Sequence, residues 1–279
     1  KKMPAPGDST DPFGWLCNAT VVRLPMPEGG CLVYSPVLGP DHRMDAVQKV
    51  LAENDLLPVR IVMAPSPQHH LTLTDWQTTY PDAFFICGKA SGQMPPLTRK
   101  RRDVRFDGVL SAGAGGVVLG PPVLDQEGAQ ASASDAKIGS TWQLLKSVFD
   151  VCVVDDNRSG ELILRHVASK TLIMSDLLYK SNPDMVGPGG STNAYTCPEW
   201  FAEGQEELFY SHPQDNSGGL LPAYRTHPRM RSIDIPGMRK SLDHILAWDL
   251  NAGVACHTDA MKGDEVKDLI KKAWAWVWN

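Results

Sequence analysis

The sequence has no C-x-x-C pair and no zinc-ribbon spacing among its six cysteines, Cys17, Cys31, Cys87, Cys152, Cys197 and Cys256. That excludes the common all-thiolate metal sites and leaves reduced, mostly buried thiols as the expectation. No apolar run is long enough to cross a bilayer as a helix, so no transmembrane segment is expected. An excess of positive charge is missing too. The net charge is −5 and the isoelectric point about 5.9, so there is no global field to draw the chain to nucleic acid or an anionic membrane. The one basic run, "TRKRRDVR" from Thr98 to Arg105, is short and broken by Asp103, and reads as a solvated loop. The opening "KKMPAPGDSTDP" lacks both an initial methionine and the apolar core of a signal sequence. The expected location is the cytoplasm, or a plastid or mitochondrion after removal of a targeting peptide.

What is present is core-forming material. The chain has 279 residues, 42% of them hydrophobic, enough for a single domain over 1–279 with a substantial interior. "NATVVRLPMPEGGCLVYSPV" reads as two strands around a turn at Pro27–Gly30. Apolar residues at Met44, Val47, Val50 and Leu51 recur at helical spacing, and the strand "VRIVMA" follows, which predicts a βαβ unit. A short helix "DWQTTY", capped by Thr74 and ended by Pro81, leads into the strand "AFFICG". Between 111 and 138, "SAGAGGVVLGPP" and "EGAQASASDA" are almost free of periodicity and read as an inserted loop. The runs "VFDVCVVDD", "ELILRH" and "TLIMSDLLY" predict three more strands. The Pro- and Gly-rich segment from Asn182 to Pro236 is expected to wrap the surface. The helix "RKSLDHILAWD", the strand "AGVACH" and an amphipathic closing helix "GDEVKDLIKKAWAWVW" complete the chain. Trp276 falls off the apolar stripe of that last helix, facing either a partner or a loop.

Three of these strands end in a side chain able to bind a metal. "VRIVMAPSPQHH" ends in His69 and His70, "KTLIMSD" in Asp176 and "AGVACH" in His257. In α/β folds ligands gather beyond the carboxyl ends of strands, where the sheet fixes a residue that still reaches solvent. Imidazole and carboxylate donors suit zinc, iron or manganese, and with three or four of them one coordination position stays open for water. Each residue also has a structural alternative. The histidine pair can simply end a strand, Asp176 can cap a turn, and His257 alone carries no assignment. His166, at the end of "ELILRH", is a further possible ligand, or a group that hydrogen-bonds behind the ligands.

The motifs "GWLCNATVVRLP…GGCLVYSPV", "APSPQHHLTLTDWQTTYPDAFFICG", "RHVASKTLIMSDLLY" and "ILAWDLNAGVACH", in this order, resemble an uncharacterised family of bacteria, fungi, plants and algae. That family is described as a domain of unknown function related to metallo-β-lactamases. The resemblance covers residues 14–110 and 141–278. It implies an α/β fold, a metallo-β-lactamase-like αββα four-layer sandwich with two mixed β-sheets. In active hydrolases of that fold the metal loop reads H-x-H-x-D-H. Aligned to end at His70, the loop here reads Pro65-Ser66-Pro67-Gln68-His69-His70, so prolines replace the first two histidines and His69 replaces the aspartate. The resemblance therefore implies one divalent metal at most, held by His69, His70, Asp176 and His257. His69 can ligate, but it cannot act as the missing carboxylate base.

Two functions follow. One is a metal-dependent hydrolase of an ester, thioester or phosphoester in a small molecule. The other is a non-catalytic scaffold or binding subunit of a larger assembly, without metal or with it. A di-iron redox centre is disfavoured by the missing first-site ligands.

Overall fold

A computed structural model describes residues 18–37, 43–66, 72–88, 104–113, 116–121, 134–154, 161–175, 177–178, 234–256 and 260–278. Strands β1 (Thr20–Arg23) and β2 (Cys31–Tyr34) form the expected hairpin. Helix α1 (Met44–Glu53) carries the chain over to β3 (Val59–Ala64), parallel to β2, which completes the predicted βαβ unit. Leu51 is the buried anchor of α1, with Met44 and Val47 packed beside it; Val50 is exposed instead. Helix α2 (Leu73–Thr79) and strand β4 (Phe84–Gly88) follow. Thr74 lies inside α2 rather than capping it. The residue before the helix is Thr72, whose hydroxyl donates 2.7 Å to the Pro36 carbonyl.

Parts of the expected loop insertion at 111–138 are regular structure instead. Strands β5 (Gly108–Gly113) and β6 (Gly116–Gly120) form an antiparallel hairpin there, and residues 135–138 open helix α3 (Asp135–Val148). The glycines that blur the periodicity serve the hairpin. Gly116 has φ of +111°, a conformation L side chains avoid, and a Cβ at Gly108 would lie 2.8 Å from Leu119. Residues 122–133 lie outside the described residues. Ser134 caps α3 by accepting from the Lys137 N–H at 3.3 Å.

Strands β7 (Phe149–Val154), β8 (Glu161–His166) and β9 (Thr171–Met174) form an antiparallel run. Helix α4 (Ile235–Ala247) starts four residues earlier than the sequence suggests, with Pro236 in its first turn, where no N–H is needed. Strand β10 (Ala252–Ala255), the short β11 (Met261–Lys262), α5 (Gly263–Ala273) and a 3-10 turn (Ala275–Val277) close the chain. The surface wrap expected between Asn182 and Pro236 falls, up to residue 233, outside the described residues. So does the side chain of Trp276.

The strands form two mixed sheets, ordered β1-β2-β3-β4-β5-β6 and β11-β10-β9-β8-β7. Side-chain alternation sorts each strand between two layers. Leu32, Tyr34, Ile61, Met63, Phe84 and Ile86 of the first sheet meet Phe149, Leu162, Leu164 and Ile173 of the second. On the first sheet's other face, Val33, Val62 and Phe85 bury Leu51, Leu73 and Trp76 of α1 and α2. On the second sheet's other face, Ile163, Leu172 and Met174 pack under Leu242, Ile245, Val266 and Ile270 of α4 and α5. The result is the four-layer αββα sandwich expected from the motifs. Strands β2, β3, β4, β8 and β9 are covered on both faces, so they read as continuous apolar runs rather than alternating ones.

Candidate metal centre at the carboxyl edge

His69, His70, Asp176 and His257 lie outside the described residues. The strand ends that lead into them are described, and they meet at one edge of the sandwich. Strands β9 and β10 run parallel, with Met174 paired to Ala255, so their chains leave the second sheet side by side, one residue before Ser175 and Cys256. The Cys256 thiol lies 3.8 Å from the Met174 carbonyl. From the first sheet, the Pro65 carbonyl accepts the Leu162 N–H at 2.8 Å, which brings the end of β3 against the start of β8. Glu161, one residue earlier, accepts the Ser175 N–H with its carboxylate. The end of β4 joins the same edge, because a Cβ on Gly88 would lie 3.2 Å from the Leu162 side chain.

The described structure therefore brings together Pro65–Ser66, Ser175 and Cys256, the residues preceding three of the four sequence-derived donors or donor pairs. His166 is not among them. Strand β8 runs antiparallel to β9, so His166 pairs with Thr171 at the start of β9 rather than standing near its end. Five residues of rise put it about 16 Å along the strand from Glu161. Its Nδ1 shares a 2.7 Å hydrogen bond with Ser169 Oγ, and it borders a cavity of about 310 Å³ with Arg23, Leu24 and Val148.

Burial shapes the chemistry at the edge. Glu161 is 5% exposed, Ser66 1% and Ser175 fully buried. Among the described residues the Ser175 hydroxyl has no hydrogen-bond partner, an arrangement that proteins avoid unless something further completes the shell. This orphaned group stands directly before Asp176, and imidazole and carboxylate donors are the right types for a divalent transition metal. By residue type and by this unfilled polar position, the edge fits such an ion. Among the described residues alone, no group of three or more His, Cys, Asp or Glu forms a metal cluster.

Among the described residues, the cysteines offer no rival nucleophile. Burial pushes the Cys87 thiol up to about 12 and, against the opposing pull of Arg23, the Cys31 thiol to about 11, so both stay protonated near neutrality. Cys152 and Cys256 are likewise buried. Among the described residues, no helix is long and apolar enough to cross a membrane.

The bonds from Tyr34 Oη to the Leu162 carbonyl at 2.6 Å, from the Trp274 indole to the Leu177 carbonyl at 2.9 Å, and from the Ser175 N–H to Glu161 hold this edge, and the motifs do not reveal them. Glu161 offers one signal, a carboxylate heading an otherwise apolar strand. A buried carboxyl group of that kind needs hydrogen-bonding partners.

No protein-family model matches this chain, and no curated protein does. Among solved structures it is similar to the DIM-1 metallo-β-lactamase exposed to ceftazidime, with a TM-score of 0.48 and 9% identity over 94% of this chain and 84% of that one. A second structure of DIM-1 metallo-β-lactamase gives 0.47 and 8%, covering 92% of this chain and 87% of that one. A putative diflavin flavoprotein A 5 (fragment 1–254) from Nostoc sp. PCC 7120 gives 0.49 and 13%, over 94% and 82%. At such identities no residue role transfers to this chain.

Proposed function

We propose that this chain is a metallo-β-lactamase-like protein of the domain-of-unknown-function family its motifs resemble, with a single divalent metal site formed by His69, His70, Asp176 and His257. Its proposed activity is hydrolysis of an ester, thioester or phosphoester in a small molecule. The observation that carries this reading is the convergence of β3, β9 and β10 on one edge, through the Pro65–Leu162 bond and the Met174–Ala255 register. A zinc, iron or manganese ion bound there would acidify a water to a pKa near 7, against about 15.7 in bulk. The protein's own part is to supply three imidazoles and one carboxylate from fixed strand ends and to keep the floor of the site dry with Tyr34, Leu162 and Met174, all fully buried.

Pro65 favours one metal position over two. Its carbonyl is committed to Leu162, and its ring offers no donor where the metal loop of active hydrolases has histidine. The same loss supports the second reading, a non-catalytic binding or scaffold subunit.

Elemental analysis of carefully purified protein separates the outcomes. About one equivalent of transition metal, removed by chelation and lost in His70→Ala and His257→Ala, is the expected result; absence of metal in the intact chain overturns the site. Metal-loaded protein inert towards simple aryl esters, thioesters and phosphoesters leaves the binding-subunit reading.

A further inference from the structure

The seam between β8 and β9 opens at the carboxyl edge. Their ladder runs from His166–Thr171 to Leu164–Ile173, and its continuation would pair Leu162 with Ser175. That pairing is replaced. Leu162 donates its N–H across the sandwich to Pro65 and accepts the Tyr34 hydroxyl on its carbonyl at 2.6 Å, so the first sheet takes both of its backbone groups. Ser175 is left with an N–H lacking a strand partner, and the Glu161 carboxylate accepts it instead. On the other side of Asp176, the Leu177 carbonyl accepts the indole N–H of Trp274 at 2.9 Å. Trp274 is 1% exposed and Leu177 2%. The backbone on both sides of residue 176 is thus held by buried side chains from elsewhere in the chain.

We infer that Glu161 is a positioning residue of the proposed metal site, with Trp274 as its counterpart. By taking the Ser175 N–H, its carboxylate fixes the backbone one residue before Asp176 without an ion. The inference rests on the single-metal reading above. A ladder bond between Leu162 and Ser175 would satisfy the backbone equally well but would close the seam and release Pro65 from β8. Using a side chain as acceptor lets one edge keep both the sheet-to-sheet stitch and a fixed exit for β9. Partners of ligands in this role typically change metal affinity by about 10–100-fold when removed.

The test measures zinc affinity by chelator competition and the cobalt absorption spectrum of wild type, Glu161→Ala, Glu161→Gln and Trp274→Phe, with urea midpoints of the metal-free proteins alongside. Glutamine keeps a carbonyl oxygen that accepts the Ser175 N–H. Glu161→Ala should weaken zinc binding about 10–100-fold and alter the cobalt spectrum, and Glu161→Gln should restore most of both. Trp274→Phe should move affinity in the same direction, and it carries the test if Glu161→Ala does not fold. Wild-type affinity and spectrum in Glu161→Ala and Trp274→Phe, with only the urea midpoints lowered, overturn the positioning role and leave the metal site standing. A glutamine variant as weak as the alanine variant also overturns it, because the charge rather than the hydrogen bond would then be at work. Wild type that binds neither zinc nor cobalt removes the metal reading, and the positioning role with it.

Discussion

His166 shares its Nδ1 hydrogen bond with Ser169 Oγ, which lies 2.7 Å from Thr171 Oγ1, and its ring is tilted against Phe149 with centroids 5.7 Å apart. This is a chain of short polar contacts closing the turn between β8 and β9. Burial lowers the His166 pKa below its ordinary 6.5, so the fold favours the neutral ring. As pH falls, the unfolded chain takes up the proton first, and the stability that depends on a neutral His166 is lost from 6.5 downward to the folded value. Above 6.5 that stability is complete. The urea midpoint of wild type should therefore drop more steeply than that of His166→Gln between about pH 7 and about pH 5.5, and the difference between the two curves isolates this ring from the other histidines. Parallel curves would show that the ring titrates alike in both states.

At the scale of single elements, the contact of α5 with β10 turns on a missing side chain. A Cβ on Gly253 would lie 2.3 Å from Val266 Cγ2, so the helix sits directly on the strand's backbone. Gly253→Ala should destabilise the protein by about 1–3 kcal/mol through this overlap. Val266→Ala should cost about 1–2 kcal/mol through the cavity it leaves. The double variant should lose clearly less than the sum, because alanine at 266 makes room for the new methyl. Additive losses in urea denaturation would show that helix and strand do not press together here. Elements of this kind differ in how openly the sequence displays them. Strands β3, β4, β8 and β10 are apolar runs bounded by polar residues, since both of their faces are covered, and they stand out at once. The β5–β6 hairpin does not, because glycines at 108, 113, 116 and 120 dilute its inward-packed Val117 and Leu119 into what reads as an inserted loop. Helix α3 shows its stripe only as Ile138, Thr141, Leu145 and Val148, with a threonine in the line. The proposed site divides the same way. Strand ends carrying His69, His70, Asp176 and His257 are visible as a repeated pattern, whereas Glu161 meets a backbone N–H, and no residue identity marks such a partner.

For the whole molecule, the proposed donors come from both halves of the sandwich. His69 and His70 follow β3 in the first sheet, and Asp176 and His257 follow β9 and β10 in the second. The inner core of Tyr34, Met63, Ile86, Leu162 and Ile173 already joins the sheets, so metal-free protein should keep its fold and its far-ultraviolet circular dichroism. An ion bound by donors from both sheets adds a cross-link that exists only in the folded chain. Zinc at a hundredfold its dissociation constant would then raise the unfolding free energy by about 2.7 kcal/mol. The cross-link also predicts how variants combine. If one ion is shared, His70→Ala and His257→Ala should each abolish most of the zinc-induced stabilisation, and the double variant should lose no more than either. Urea midpoints measured with zinc and with chelator give the four corners of that cycle. Losses that simply add would mean that the two histidines serve separate sites, one per sheet, because only a shared ion makes the second removal cost nothing.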